Sequence, residues 1–161
     1  MDNGGRKLIG SILWWTEGTK SRKDKRWKNS WTYAVEITNT NPAIIKLFLD
    51  FLRHDIGVEE PKLKVQLQVH EGDDQAGLEA YWSSITDIPK ERFTKTIVRP
   101  KGNKVGRSKG TCKIRYCDKQ TYIRLSNMLN DTLRGVAQLA SASALGAEGP
   151  GFESRHPDQL S

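Results

Sequence analysis

The chain has few of the residues that build covalent or metal-based frameworks. It contains 2 cysteines and 3 histidines among 161 residues. Cys112 and Cys117 lie on or beside one short segment, so they provide neither a disulfide framework nor a zinc site with four ligands. We expect them to be small core or strand residues. The histidines are scattered, which favours structural roles over a metal cluster.

Long hydrophobic runs are also missing. The uncharged segment at residues 8–15 is too short to span a bilayer, and polar residues follow it at once, which argues against a secretory signal. A hydrophobic content of 36% is enough for one core. The sequence therefore predicts a single folded domain in the cytoplasm, with no membrane partner.

Acidic residues are outnumbered, and the excess of positive charge is concentrated in two segments. The net charge is +7. The first basic cluster, residues 19–29, has six basic residues and one acid, and the second, residues 99–109, has five basic residues and no acid. Like charges so close together repel one another unless a polyanion binds them. Nucleic acid is therefore the favoured partner, although a solvated loop would explain either cluster alone.

The uncharged segment predicts a helix that is apolar on more than one face. Leu8, Ile12 and Trp15 share one of these faces, which needs a partner surface. We expect Gly18 to end the helix in the left-handed conformation. Glu17 would then lie at the carbonyl end of the helix, where the dipole disfavours a negative charge unless a cation is near.

Hydrophobic periodicity predicts further strands and helices along the chain. Asn41 and Pro42 are typical of a helix start, and Gly57 of its end. The last two strands are expected to form an antiparallel pair joined by the second basic cluster. Strands are predicted for residues 31–38, 62–71, 93–98 and 111–116, and helices for residues 42–56, 75–86 and 119–130.

Residues 10–18, GSILWWTEG, resemble the motif of the LAGLIDADG homing endonucleases, with Glu17 at the acidic position and Gly18 at the last glycine. The order of elements over roughly residues 6–132 is similar to that family's core if residues 19–24 contain a short strand. The chain differs from the family's core in that the helix predicted at residues 75–86 lies between strands of the second half. The resemblance implies an α+β fold in which an antiparallel sheet forms a DNA-binding saddle packed against helices.

The same resemblance implies a site-specific endonuclease that hydrolyses both strands of duplex DNA as a homodimer. Glu17 would be the catalytic acid, and Glu17 with Gly18 would hold Mg²⁺, which suits carboxylate oxygens. The motif helices of two copies would pair about a twofold axis. The implied dimer interface consists of Leu8, Ser11, Ile12 and Trp15.

Two kinds of DNA contact are expected. Polar strand residues would read base edges in the major groove, and the basic clusters would bind phosphates. The wet face of an ordinary sheet would also explain the strand residues. The candidate DNA-binding residues are Lys20, Arg22, Lys23, Lys25, Arg26, Lys28, Lys64, Gln66, Gln68, Lys101, Lys104, Arg107, Lys109, Lys113 and Arg115.

Three alternatives stay open. A related domain could keep the fold and the basic surface and act as a regulator without cutting DNA, and the bulky Trp14 and Trp15 in the motif favour this alternative. An RNA-binding protein would fit the charge, although aromatic pairs for base stacking are not obvious outside Trp27 and Trp31. An ordinary core helix with a solvated terminal glutamate would explain the motif alone.

Residues 134–161 do not resemble the rest of the chain. They are rich in Ala, Ser and Gly, and we expect a disordered tail after an endonuclease-like domain at residues 1–133. GVAQL at residues 135–139 and GFESR at residues 151–155 match the in-frame translation of two arms of a bacterial-type transfer-RNA gene. The tail is therefore interpreted as read-through of such a gene and is excluded from fold reasoning.

Overall fold

The computed structural model describes residues 3–18, 22–23, 31–100 and 109–145. Its first compact unit ends at Leu129, and its second begins at Asn130 with the remainder of the last helix. The fold is α+β. The helices are α1 (Asn3–Glu17), α2 (Pro42–Phe51), α3 (Gln75–Thr86) and α4 (Lys119–Leu145), and the strands are β1 (Arg22–Lys23), β2 (Trp31–Thr32), β3 (Ala34–Asn39), β4 (Lys64–His70), β5 (Ile97–Arg99) and β6 (Thr111–Cys117).

A four-stranded mixed sheet has the order β3-β6-β4-β5. β6 is antiparallel to both β3 and β4, whereas β5 lies at the edge and is parallel to β4. β1 and β2 form a separate antiparallel pair, so a short strand lies within residues 19–24, although it is not part of the four-stranded sheet.

The predicted antiparallel pairing of the last two strands is wrong, and so is the purely antiparallel sheet. α3 and the turn at Lys90–Arg92 lie between β4 and β5, and this crossover returns the chain in the same direction, so β5 pairs in parallel with β4. β6 then enters between β3 and β4 instead of pairing with β5.

One face of this sheet carries the core. Alternate residues of β4 are buried, as the sequence predicts: Val65, Leu67 and Val69. β6 adds Cys112, Ile114 and Tyr116, and the helices supply Phe48, Phe51 and Trp82 among other buried side chains. Burial raises the pKa of the Cys112 thiol to about 12, which fits the expected structural role of this cysteine.

The helix boundaries follow local sequence signals. The Asn41 side chain accepts a hydrogen bond from the backbone N–H of Ala43, and Pro42 occupies the first turn of α2, as predicted. After Phe51 the helix continues as one π turn, Leu52–Ile56, and ends at Gly57, whose φ of 73° is left-handed. Asp74 caps α3 by accepting from the Gly77 N–H.

Ion pairs tie the outer segments to this core. Arg6 of α1 binds the buried Asp55 carboxylate through Nε, at 2.5 Å, and Nη2, at 3.3 Å. Arg53 donates to Glu60 and to the Thr86 carbonyl at the end of α3. The Arg53 guanidinium lowers the pKa of Glu60. These contacts fix α1 and α3 against the π turn between them.

The last helix is longer than predicted. Disorder is expected from residue 134, but α4 continues to Leu145, and residues 146–161 lie outside the described part. Ala is the most frequent residue in this segment, and it has the highest helix propensity of all residues. None of the described helices is both long and apolar enough to cross a membrane.

Gly10 of α1 packs closely against Phe51 of α2. A Cβ added there would lie 2.2 Å from Cγ of the buried Phe51, whereas one added at Gly4 of the same helix would meet nothing within 4 Å. We expect Gly10→Ala to lower the free energy of unfolding by about 1–3 kcal/mol, the usual cost of overpacking a core. Gly4→Ala should leave it unchanged or raise it slightly, and equal urea midpoints for the two variants would contradict this packing.

Candidate nucleic-acid interface

The sheet face opposite the core is called the open face. Cross-strand register places Gln66 opposite Lys113, Lys64 opposite Arg115, and Gln68 opposite Thr111. Side chains directly opposite each other on antiparallel strands point to the same face, with Cβ atoms about 4.5–5.5 Å apart. All five strand residues expected to bind DNA therefore lie together on this face: Lys64, Gln66, Gln68, Lys113 and Arg115.

The flanking strands extend the open face on both sides. β3 places Glu36 opposite Arg115 and Thr38 opposite Lys113. β5 places Ile97 beside Gln68 and Arg99 beside His70. The open face of the described strands thus consists of Ala34, Glu36, Thr38, Lys64, Gln66, Gln68, His70, Ile97, Arg99, Thr111, Lys113, Arg115 and Cys117.

A buried carboxylate lies among the cations of this face. Glu36 is only 3% exposed. Its Oε1 is 3.4 Å from Nζ of Lys113, and its Oε2 is 3.6 Å from Nε of Arg115. Glu36 was not among the residues expected from the sequence to bind DNA. Its position between Val35 and Ile37, which are core residues, was the available signal that it points to the opposite face.

Several of these side chains are held by neighbouring groups. Nε2 of Gln66 donates to the Lys95 carbonyl at 3.4 Å, and the Thr94 N–H donates to the Val65 carbonyl at 2.7 Å. Nε of Arg115 also donates to Sγ of Cys117 at 3.2 Å. The segment before β5 therefore runs along β4 and supports the glutamine from one side.

The basic clusters are only partly described. Lys20, Lys25, Arg26 and Lys28 of the first cluster, and Lys101, Lys104 and Arg107 of the second, lie outside the described residues. Arg22 and Lys23 form β1.

Lys109 is the C-terminal end of the second cluster and is exposed. Its Nζ lies 4.5 Å from the centre of the Tyr81 ring, and its carbonyl accepts a 2.7 Å bond from Nε1 of Trp82. The buried Trp82 therefore anchors this end of the cluster against α3.

The acid of the motif ends α1. Glu17 is exposed and is the last helical residue. Gly18 donates its N–H to the Trp14 carbonyl at 2.9 Å and forms an isolated antiparallel bridge with Ile37 of β3. Glu17 therefore lies at the end of α1, next to the residue that contacts β3.

The reason predicted for Gly18 is wrong. Gly18 is not among the glycines with positive φ, so the left-handed conformation does not explain it. A Cβ at this position would lie 2.1 Å from the Trp14 carbonyl oxygen and 2.6 Å from Cδ1 of its ring. The residue must be glycine because the Trp14 backbone and side chain approach it too closely for any other.

The described residues contain few side chains placed together that could bind a metal ion. They contain no group of three or more His, Cys, Asp or Glu side chains that could hold an ion. The Glu17 carboxylate and the adjoining backbone carbonyls are hard oxygen donors, however, and Mg²⁺ commonly binds through one or two carboxylates while keeping several waters. Glu17 is the carboxylate at the end of α1 that could take part in such a site.

An exposed apolar stripe runs along α1. Leu8, Ile12 and Trp15 are spaced to share one helix face and are 39%, 39% and 47% exposed. Ser11, predicted to join them at an interface, is fully buried inside the chain and is therefore not part of the exposed stripe. Trp14 is also buried, with its ring edge-on to Tyr122 at 5.3 Å between centroids. Its bulk therefore does not obstruct the exposed stripe.

Comparison of the chain with profiles of known protein families, with characterised proteins and with solved structures finds no match in any of the three.

Proposed function

We propose that this chain binds duplex DNA in a sequence-specific manner through the open face and, as a homodimer, hydrolyses both strands with Mg²⁺. The observation that carries the proposal is the register of β4 and β6. It brings two glutamines and three cations onto one face of a sheet whose other face is filled by the core. Lys64 and Arg115 are exposed on this face, where a large partner can reach them.

The chemistry of the open face matches the major groove of DNA. Gln66 and Gln68 can each bind adenine through two hydrogen bonds, and Arg115 can do the same for guanine. Lys64 and Lys113 can reach guanine or a phosphate. The basic clusters would supply phosphate contacts, which give affinity without reading the sequence.

Glu17 and the exposed stripe supply the catalytic part of the proposal. Magnesium, when bound, would activate a water and neutralise the leaving oxygen of a phosphodiester. Glu17 would hold that ion, with help from the adjoining backbone carbonyls. Pairing of the stripe with its copy about a twofold axis would cover Leu8, Ile12 and Trp15 and bring two Glu17 side chains together, one for each DNA strand.

A regulator that binds DNA without cutting it is the second candidate. Trp15 favours it, because this large side chain is 47% exposed on the stripe where close helix pairing requires small residues. The two candidates share the open face and differ in whether Glu17 takes part in cleavage. Cleavage assays therefore separate them, and binding assays do not.

Substitution of Gln66 tests the open face directly. If Gln66 reads a base, Gln66→Ala should relax the preference at one base pair by about 1–3 kcal/mol and leave the other positions unchanged. Binding to a panel of duplexes, each changed at one position, measures this. Gln120→Ala, which removes an exposed glutamine at the start of α4, is the matched control and should change nothing.

A variant in which Lys23, Lys25 and Arg26 are neutralised should behave differently from Gln66→Ala. If the first basic cluster binds phosphates, this variant should weaken binding to every duplex about equally and flatten the salt dependence. A Gln66→Ala variant that behaves in the same way would show that the open face reads no bases.

A further inference from the structure

Glu36 needs an explanation if the open face binds DNA. It is the one carboxylate among the open-face residues of the described strands. A negative charge there repels phosphate, and burying it costs free energy unless the charge is well compensated. A lysine or glutamine at this position would bind a polyanion better.

The geometry shows what the carboxylate contacts. Glu36 lies directly opposite Arg115 and diagonally from Lys113, and each of its oxygens faces one of these cations. Its side chain is 4% exposed, whereas Lys113 is 21% and Arg115 46% exposed. The Glu36 carboxylate is thus buried beneath Lys113 and Arg115, and these two cations are more exposed to solvent.

The side chains of Lys113 and Arg115 are flexible and need neighbouring groups to hold them in one orientation. Lysine and arginine side chains each lose rotamer entropy when they are ordered. A guanidinium that must meet O6 and N7 of one guanine has to be held in a defined plane. The Glu36 carboxylate, 3.6 Å from Nε of Arg115, restricts that plane before DNA arrives, together with Sγ of Cys117 at 3.2 Å from the same nitrogen.

We propose that Glu36 is a positioning residue for sequence specificity, holding Arg115 and Lys113 in the orientation that reads guanine. The inference rests on the proposed binding of duplex DNA by the open face. It is independent of whether the DNA is cut. Glu36 lowers the general attraction for DNA and raises the discrimination between sequences.

Glu36→Gln tests this because it keeps the shape and removes the charge. The first step is to select preferred duplexes from a random pool with the parent chain, without metal. We expect the variant to bind unrelated duplexes more tightly and with a steeper salt dependence. Its discrimination against a base change at the guanine assigned to Arg115 should fall at least about 10-fold, while discrimination at the other positions is retained.

Arg115→Lys identifies that guanine and keeps the test valid if Glu36→Gln folds poorly. Arg115 is half exposed, and lysine preserves its charge but not its two-pronged geometry. We expect Arg115→Lys to lose discrimination at the same position, and Glu36→Gln to add little to it in the double variant. Thermal unfolding of each variant separates a loss of fold from a loss of specificity.

Glu91→Gln is the control for charge alone, since Glu91 is exposed in the turn Lys90–Arg92, outside the sheet. Equal effects of Glu36→Gln and Glu91→Gln, or full discrimination by Glu36→Gln, would overturn the inference and leave DNA binding intact. Loss of discrimination at a cytosine that Arg115→Lys does not affect would also overturn it, because Glu36 would then read that base itself. If the parent binds no duplex, the proposed function fails and the inference with it.

Discussion

Glu17→Gln is expected to abolish Mg²⁺-dependent cleavage of DNA. Glu17 is the exposed acid that ends α1, and glutamine preserves its shape while removing the charge that would hold the ion. We expect a rate at least about 100-fold lower, the lower end of what a positioned catalytic side chain contributes. Binding without metal or in Ca²⁺ should persist or tighten, because one repulsion with phosphate is lost.

The control for this variant is Glu71→Gln, which removes another exposed carboxylate just after β4. It should cut DNA at the rate of the parent. The fold of Glu17→Gln should be no less stable than the parent, since an acid at the carbonyl end of a helix is unfavourable to begin with. Robust magnesium-dependent cutting by Glu17→Gln would rule out the catalytic role.

Trp15→Glu is expected to convert a homodimer into a monomer and to stop cleavage of both strands. Trp15 is the most exposed member of the stripe formed with Leu8 and Ile12. A buried aromatic side chain at the centre of an interface commonly contributes 2 kcal/mol or more, so dissociation should be at least about 30-fold more favourable. Sedimentation equilibrium measures the change.

Ile123→Glu is the matched control, because Ile123 is 44% exposed on α4 and does not belong to the stripe. The same charge introduced there should not alter the assembly. A parent chain that sediments as a monomer with DNA bound, or a Trp15→Glu variant that still dimerises, would contradict the proposed interface.

The sequence predicted those parts of the fold that local patterns control. Asn41 and Pro42 start α2 because an amide cap and a proline satisfy the first turn within a few residues. The alternation of β4 fixed which of its side chains face the core, and so placed Gln66 and Gln68 on the open face. These features depend on periods of 2 or 3.6 residues, which can be read from a single segment.

Features that depend on distant segments could not be predicted in the same way. The parallel pairing of β5 follows from the crossover through α3, and the short edge strand carries little pattern of its own. The constraint on Gly18 comes from the position of the Trp14 side chain, which the sequence does not give. Ser11 was expected at an interface because it is small, whereas packing within the chain buries it.

Glu36 illustrates the same limit in the candidate site. Its alternation with Val35 and Ile37 would have placed it on the open face, but the ion pairs with Lys113 and Arg115 depend on register across 77 or more residues. The net charge alone suggests that every basic residue is free to bind DNA. In the structure, Lys113 and Arg115 are instead paired with the Glu36 carboxylate. Their proposed contribution is therefore to the specificity of DNA binding more than to its affinity.

The proposed function can be tested by selecting duplexes from a random pool with the parent chain and then incubating the selected duplexes with Mg²⁺ or with EDTA. We expect enrichment of one sequence that the open face reads, and cutting of both its strands in Mg²⁺ but not in EDTA. A pool that shows no enrichment and no cutting in either condition would contradict it.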